Sequence, residues 1–179
     1  TIKEFVSLDE ESRRGIWNFI ANHDSMADDY IIQQLPDSEP YPYWLPDPKI
    51  QKEVVPYFMA RIVDVEKFLK KYPFKPATNG NLFLHVLDEF CPWNNVTYQI
   101  TVKEKEVKVK RHEPRSKGAC QQEPKRGIIC NINSLTTMLL NYQRPSNLLQ
   151  IQQIKGSQEE VDRLEQLIVK KPTGFIDFF

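Results

Sequence analysis

The stretch Val96–Glu113, "VTYQITVKEKEVKVKRHE", decides the fold class of this 179-residue chain. Val102, Val107 and Val109 alternate with charged residues, the period of a strand with one face in water. The "KEKE" between the two apolar runs supplies the hairpin turn or bulge. Upstream, "NLFLHVLDEF" reads as a further strand, and "RGIICNI" as another downstream. Helices then close the chain. Asn133 or Ser134 caps "LTTMLLNY", Pro145 opens "SNLLQIQQI", and Ser157 with Glu160 makes a capping box before "VDRLEQLIVKK", which Pro172 stops. Before the strands, "VVPYFMARIVDVEKFLKKYPF" reads as a strand that turns at Asp64 into a short helix, with Val65, Phe68 and Leu69 at helical spacing. Strands grouped ahead of closing helices define an α+β domain.

The N-terminal part differs in composition. "IKEFVSL" reads as a strand, Ser7 and Glu10 as a capping box for a helix running to about Asn22, and "DDYIIQQLP" as a second strand. "PDSEPYPYWLPDPK" follows, and its five prolines exclude a regular helix or a central strand. That stretch divides the chain into residues 1–53, a small α/β lead-in with its linker, and residues 54–179, the α+β domain. The first residue is Thr1 rather than methionine, in an alternating run, which reads as a fragment whose upstream domain is missing.

Lys plus Arg equals Asp plus Glu at 24 each, so no global field recruits nucleic acid or an anionic membrane, and neither partner is expected. Cys91, Cys120 and Cys130 are an odd number without C-x-x-C spacing, which argues against disulfides or zinc and for a reducing cytoplasm. With no signal peptide or long apolar run, the expectation is a cytoplasmic protein. The glycines stand too far apart for a phosphate-cradling loop. His23, His85 and His112 show no ligand spacing, so no metal site is assigned and each reads as structural or solvent-facing. The basic run Lys103–Lys117 lacks interleaved aromatics and reads as a charged strand face that protects an edge. Tyr41, Tyr43 and Trp44 either line a pocket or pin the linker to its neighbour.

The tail is the feature that composition does not absorb. Phe175, Ile176, Phe178 and Phe179 would each forfeit about 1.5–3 kcal/mol if left in water, so the segment is expected to be buried as a final strand. Two readings stand side by side: a packed strand whose α-carboxylate emerges at the surface, or a carboxylate held in a cleft. In a cleft, desolvation would raise its pKa and make it a better proton acceptor.

"YFMARIVDVEKFLKKYPF" (57–74), with its M-x-R-I-V-D-V-x-x-x-L core, resembles the start of the sterol-carrier-like domain of the Eis-type (enhanced intracellular survival) GNAT acetyltransferases. "LDEESRRGIWNFIANHDS", within residues 9–35 and their flank, is similar to the end of their degenerate second GNAT-like domain, and "GFIDFF" to their ending. The resemblance implies that a first GNAT domain binds acetyl-CoA and supplies a tyrosine as acid. It also implies that the chain's last carboxylate is the general base toward a primary amine on an aminoglycoside, a polyamine or a lysine. That base maps to the α-carboxylate of Phe179, with Asp177 and Phe178 beside the acceptor pocket. A homo-hexamer is implied as well. Nothing here matches the pyrophosphate loop or the catalytic tyrosine, so acetyl-CoA is expected to bind the absent N-terminal domain and this part alone is expected to be inactive. The competing reading is a sterol-carrier-like module that holds an apolar ligand between sheet and helices without chemistry.

Overall fold

The computed structural model describes residues 1–171 apart from positions 34, 36–40, 48, 56–57, 76–78, 105, 114–123 and 125. Two compact units divide it, Thr1–Pro56 and Tyr57–Thr173.

The first unit is organised by helix α1 (Glu10–Ala21). Its N-cap is Asp9, whose carboxylate accepts from the Ser12 backbone N–H at 2.7 Å while the Ser12 hydroxyl accepts from the Asp9 N–H at 3.1 Å. The reciprocal box therefore sits two residues past the one expected at Ser7 and Glu10, because Ser12 supplies the returning oxygen that Glu10 does not. Glu10 instead engages Arg13 and Arg14 along the first turn. The two N-terminal segments expected to be strands meet only in one parallel bridge, Ile2 with Ile32. Trp17 lies against Phe5, at 5.4 Å between ring centroids, and against Trp44 at 6.5 Å. The Arg13 guanidinium stands 4.3 Å above the Trp44 ring. Trp44, in a single 3-10 turn (Tyr41–Trp44), thus pins the proline-rich stretch onto α1, whereas Tyr43 is exposed.

The second unit opens with α2 (Val65–Lys71), N-capped by Asp64 through the Lys67 N–H at 2.9 Å. The segment before it forms no strand among the described residues. Strands β1 (Gly80–Leu87), β2 (Thr97–Lys103), β3 (Glu106–His112), β4 (Ile128–Asn131) and β5 (Ile154–Lys155) make one sheet in the order β3-β2-β1-β4-β5. β1 and β4 run parallel and the other pairs antiparallel. The register places Leu82 opposite Ile100, Leu84 opposite both Tyr98 and Ile128, and Val86 opposite Cys130. All of these side chains are buried, so one sheet face is uninterruptedly apolar. The other face carries Phe83, His85, Gln99 and Thr101 and is partly wet.

Helices α3 (Ile132–Leu139), α4 (Pro145–Gln150) and α5 (Gln158–Leu167) follow. α3 starts directly from β4 and is capped by Asn131, which takes the Ser134 N–H at 2.7 Å; the cap expected at Asn133 or Ser134 lies inside the helix. The run after Pro145 is helical only to Gln150, then reverses through Gln152 at φ +57° into the short β5. Ser157 and Glu160 form the expected capping box of α5. Leu135, Met138 and Leu139 of α3 and Val161, Leu164 and Leu167 of α5 belong to the same buried cluster as the sheet face. Those apolar faces pack a core.

Candidate functional site: the exit of the C-terminal segment

Asp177, Phe178 and Phe179, the residues assigned to the acceptor pocket and to the base, lie outside the described residues, as do the aromatic tail from Phe175 and the helix stop expected at Pro172. The path that delivers the chain toward them is described as far as Lys171. Helix α5 does not run to the proline. It ends at Leu167, and Ile168, fully buried, takes an extended conformation at φ −82° and ψ 148°. Neither Gly nor Pro stands at this point, and Lys170 and Lys171 are good helix formers. Burial of Ile168 and a set of tertiary hydrogen bonds override that local preference.

Four backbone groups carry these bonds. Leu167 C=O accepts from the Lys75 N–H at 2.7 Å, and the Val169 N–H donates to the Tyr72 phenol oxygen at 3.3 Å. Val169 C=O accepts from Arg144 Nη1 at 3.4 Å, and Lys171 C=O accepts from Asn141 Nδ2 at 2.6 Å. Tyr72 is held in turn by ring contacts with Phe68 and Phe74, and burial pushes its phenol above the ordinary value of 10.0, so it stays neutral. Arg144 is fixed by Glu165, through Nε to Oε1 at 2.5 Å and Nη2 to the backbone carbonyl at 2.8 Å. Arg144 Nη1 also donates to Asn141 Oδ1 at 2.7 Å, which orients the Asn141 amide toward Lys171. Asn141 holds a left-handed φ of +59°, a conformation asparagine tolerates better than most residues. Sequence reading passed over Tyr72, Asn141 and Arg144. The only local signal is an asparagine one residue past the C-cap of α3, which marks a helix end but not a contact with Lys171.

A second polar node explains the Arg61–Val65 motif. Asp88, at the end of β1, has a carboxylate closed to solvent. Its Oδ1 accepts from Arg61 Nη2 at 2.5 Å and from the Phe90 and Cys91 N–H groups, and its Oδ2 accepts from Asn94 Nδ2 at 2.9 Å. Asn94 also donates to Val63 C=O and accepts from the Val65 N–H. The motif ties the entry segment to the loop after β1. Burial alone would raise the Asp88 pKa; the bonds from Asn94, Cys91, Arg61 and Phe90 outweigh it and hold the carboxyl below its ordinary value.

The remaining candidates resolve into structural roles. His85 spans Thr97 Oγ1 and the Arg126 carbonyl, both at 2.8 Å; His112 bonds Gln99 and His23 bonds Phe19. Burial pushes the Cys130 thiol up to about 12, which leaves it inert, and Cys91 is half-buried. β3, which carries the described part of the basic run, is the sheet's edge strand, with Lys108 paired to Glu106 and Arg111 to Glu113. An open groove of about 400 Å³ lies along the entry segment and α2, between Val63, Lys67, Tyr72 and Leu140, and no sheet residue lines it. A ligand between sheet and helices is not what this groove would hold. Among the described residues no three His, Cys, Asp or Glu side chains converge as metal ligands, and no helix is long and apolar enough to cross a membrane. Gly80 and Gly127 face Arg163 and Phe83 at under 3 Å from an ideal Cβ, and Gly15 sits inside α1, so the described glycines form no cradle for the phosphates of acetyl-CoA.

Residues 65–176, more than half of the chain, match the sterol carrier protein domain model. The chain belongs to the sterol carrier protein domain family. Ahead of that domain, residues 1–62 match the acetyltransferase (GNAT) domain model. Among curated proteins none matches in sequence. Among solved structures, a conserved protein from Enterococcus faecalis designated a probable N-acyltransferase superposes with a TM-score of 0.80 at 24% identity, over 98% of this chain and 42% of that one. A GCN5-related N-acetyltransferase from Anabaena variabilis gives 0.75 at 20% identity, over 99% and 42%. Eis1 from Mycobacterium abscessus gives 0.74 at 18% identity, over 97% and 41%. The GNAT-like segment and sterol carrier protein domain thus share the fold of N-acyltransferases, and the chain spans about two fifths of the length of each.

Proposed function

We propose that this chain is the C-terminal part of an Eis-type GNAT N-acetyltransferase, and that the α-carboxylate of Phe179 serves as general base toward a primary amine. The observation that carries the proposal is the order of the two family matches, GNAT then sterol carrier protein domain, in a chain that superposes along nearly its whole length on N-acyltransferase structures. On this reading acetyl-CoA, the acyl donor, binds a GNAT domain upstream of Thr1, since the described glycines offer it no cradle. The task of this part is to present a carboxylate that takes the proton of the attacking amine. A terminal carboxylate suits that task because it sits at the free end of a chain that can be threaded into a cleft, and rings beside it limit its hydration. The acceptor class is an aminoglycoside, a polyamine or a lysine amine, and the assembly a homo-oligomer.

The test is acetyl transfer by the full-length polypeptide with its native end, against a variant with one glycine added after Phe179. The addition displaces the carboxylate by about 3.5 Å and alters no side chain. Turnover is expected to fall by about 100-fold or more, the usual worth of a general base. Undiminished turnover with intact folding overturns the assignment.

A further inference from the structure

In an extended chain the N–H and C=O of a given residue point to one edge, and alternate residues share that edge. Leu167 C=O, Val169 N–H and C=O, and Lys171 C=O therefore face the same way, and each is bonded to the body of the domain. The donors and the acceptor are not a neighbouring strand alone. Apart from the Lys75 N–H they are three side chains from separate elements: Tyr72 after α2, Asn141 after α3 and Arg144 at the N-cap of α4. Arg144 gives no cap to its own helix; its guanidinium goes to Glu165, Asn141 and Val169. Asn141 accepts a left-handed backbone and so aims one amide both at Arg144 and at Lys171.

Only eight residues, 172–179, separate Lys171 from the chain end, a reach of at most about 3.3–3.6 Å per residue. An arm of that length, free to pivot at its root, would carry its end through many ångströms. A general base must stand within about 2.6–3.2 Å of the atom that gives up its proton. We propose that Asn141, Arg144 and Tyr72 are positioning residues, a clamp on residues 167–171 that sets the direction of the C-terminal segment and thereby places the terminal carboxylate. The proposal rests on the terminal-base reading above.

The test is a double-mutant cycle in the full-length polypeptide, with steady-state acetyl transfer to a primary amine as readout. Asn141→Asp keeps the acceptor for Arg144 and the residue's shape but removes the amide that donates to Lys171. Asn141→Gly removes the side chain and relieves the left-handed backbone, so it folds even where the aspartate does not. Each is expected to lower kcat by about tenfold or more, because misplacement of about 1 Å can cost 100-fold, with the KM for acetyl-CoA unchanged. In the background with one glycine added after Phe179, the same substitutions are expected to cost nothing further, since the carboxylate they aim is already displaced. A loss that multiplies with the extension marks mere destabilisation and overturns the clamp. So does a full kcat in both Asn141 variants while the extension alone impairs turnover; in that case the base reading survives. An extension without effect removes the base reading, and the clamp's role with it.

Discussion

Asp88 holds a negative charge inside the domain, and its partners set how the fold answers to acid. Its carboxyl is held below the ordinary value of 3.8, so its contribution is complete above that pH and is lost as pH falls through the lower, folded value. Urea midpoints are therefore expected to decline below about pH 4 in the wild type, and Asp88→Asn is expected to flatten that decline while lowering stability at pH 7 by about 2–3 kcal/mol. An unchanged acid limb in the variant would place the titration elsewhere. Arg61 stood out in the sequence as part of a motif; Asp88 did not, because the two lie 27 positions apart and neither spacing nor composition links them. Asp64 was readable for the opposite reason, since an N-cap contacts a backbone group three residues on.

At the scale of elements, the joint where β4 enters beside β1 is the least forgiving. Gly127 has φ +102°, and a Cβ there would stand 2.8 Å from the Phe83 carbonyl and 2.7 Å from His85 Nε2. Its N–H donates to Glu160, the same residue that closes the α5 capping box, so strand entry and helix start share one carboxylate. Gly127→Ala is expected to cost about 2 kcal/mol or more, from backbone strain and from backbone displacement, read as a fall in melting temperature. A melting temperature equal to wild type would mean that β4 shifts freely. Ser157 and Glu160 were legible in the sequence because a capping box is local chemistry. The strands expected at both ends of the first unit were not realised, since alternation alone supplies no neighbouring strand to pair with. β5 was missed because two residues carry no period.

For the whole molecule, the core belongs to one unit. The buried cluster runs from Ile62 to Ile168, whereas Ile20 is the buried apolar residue described in Thr1–Pro56. Residues 57–179 expressed alone are expected to melt cooperatively, and residues 1–56 alone to show no transition, by circular dichroism against temperature. A cooperative melt of 1–56 would contradict that division. The sheet, its hairpin and the closing helices were legible from periodicity, but the ties of the exit segment were not, because Tyr72, Asn141 and Arg144 reach it from three distant points of the chain. Those ties have one more consequence. Tyr72 and Lys75, where the polypeptide enters the sterol carrier protein domain, bond to Leu167 and Val169, where it leaves. Entrance and exit form a single stapled neck, so a pull on the two ends is borne by the neck before it reaches the sheet. A module closed in this way can be spliced into another polypeptide, or cut and rejoined at a new point, without its interior registering the change.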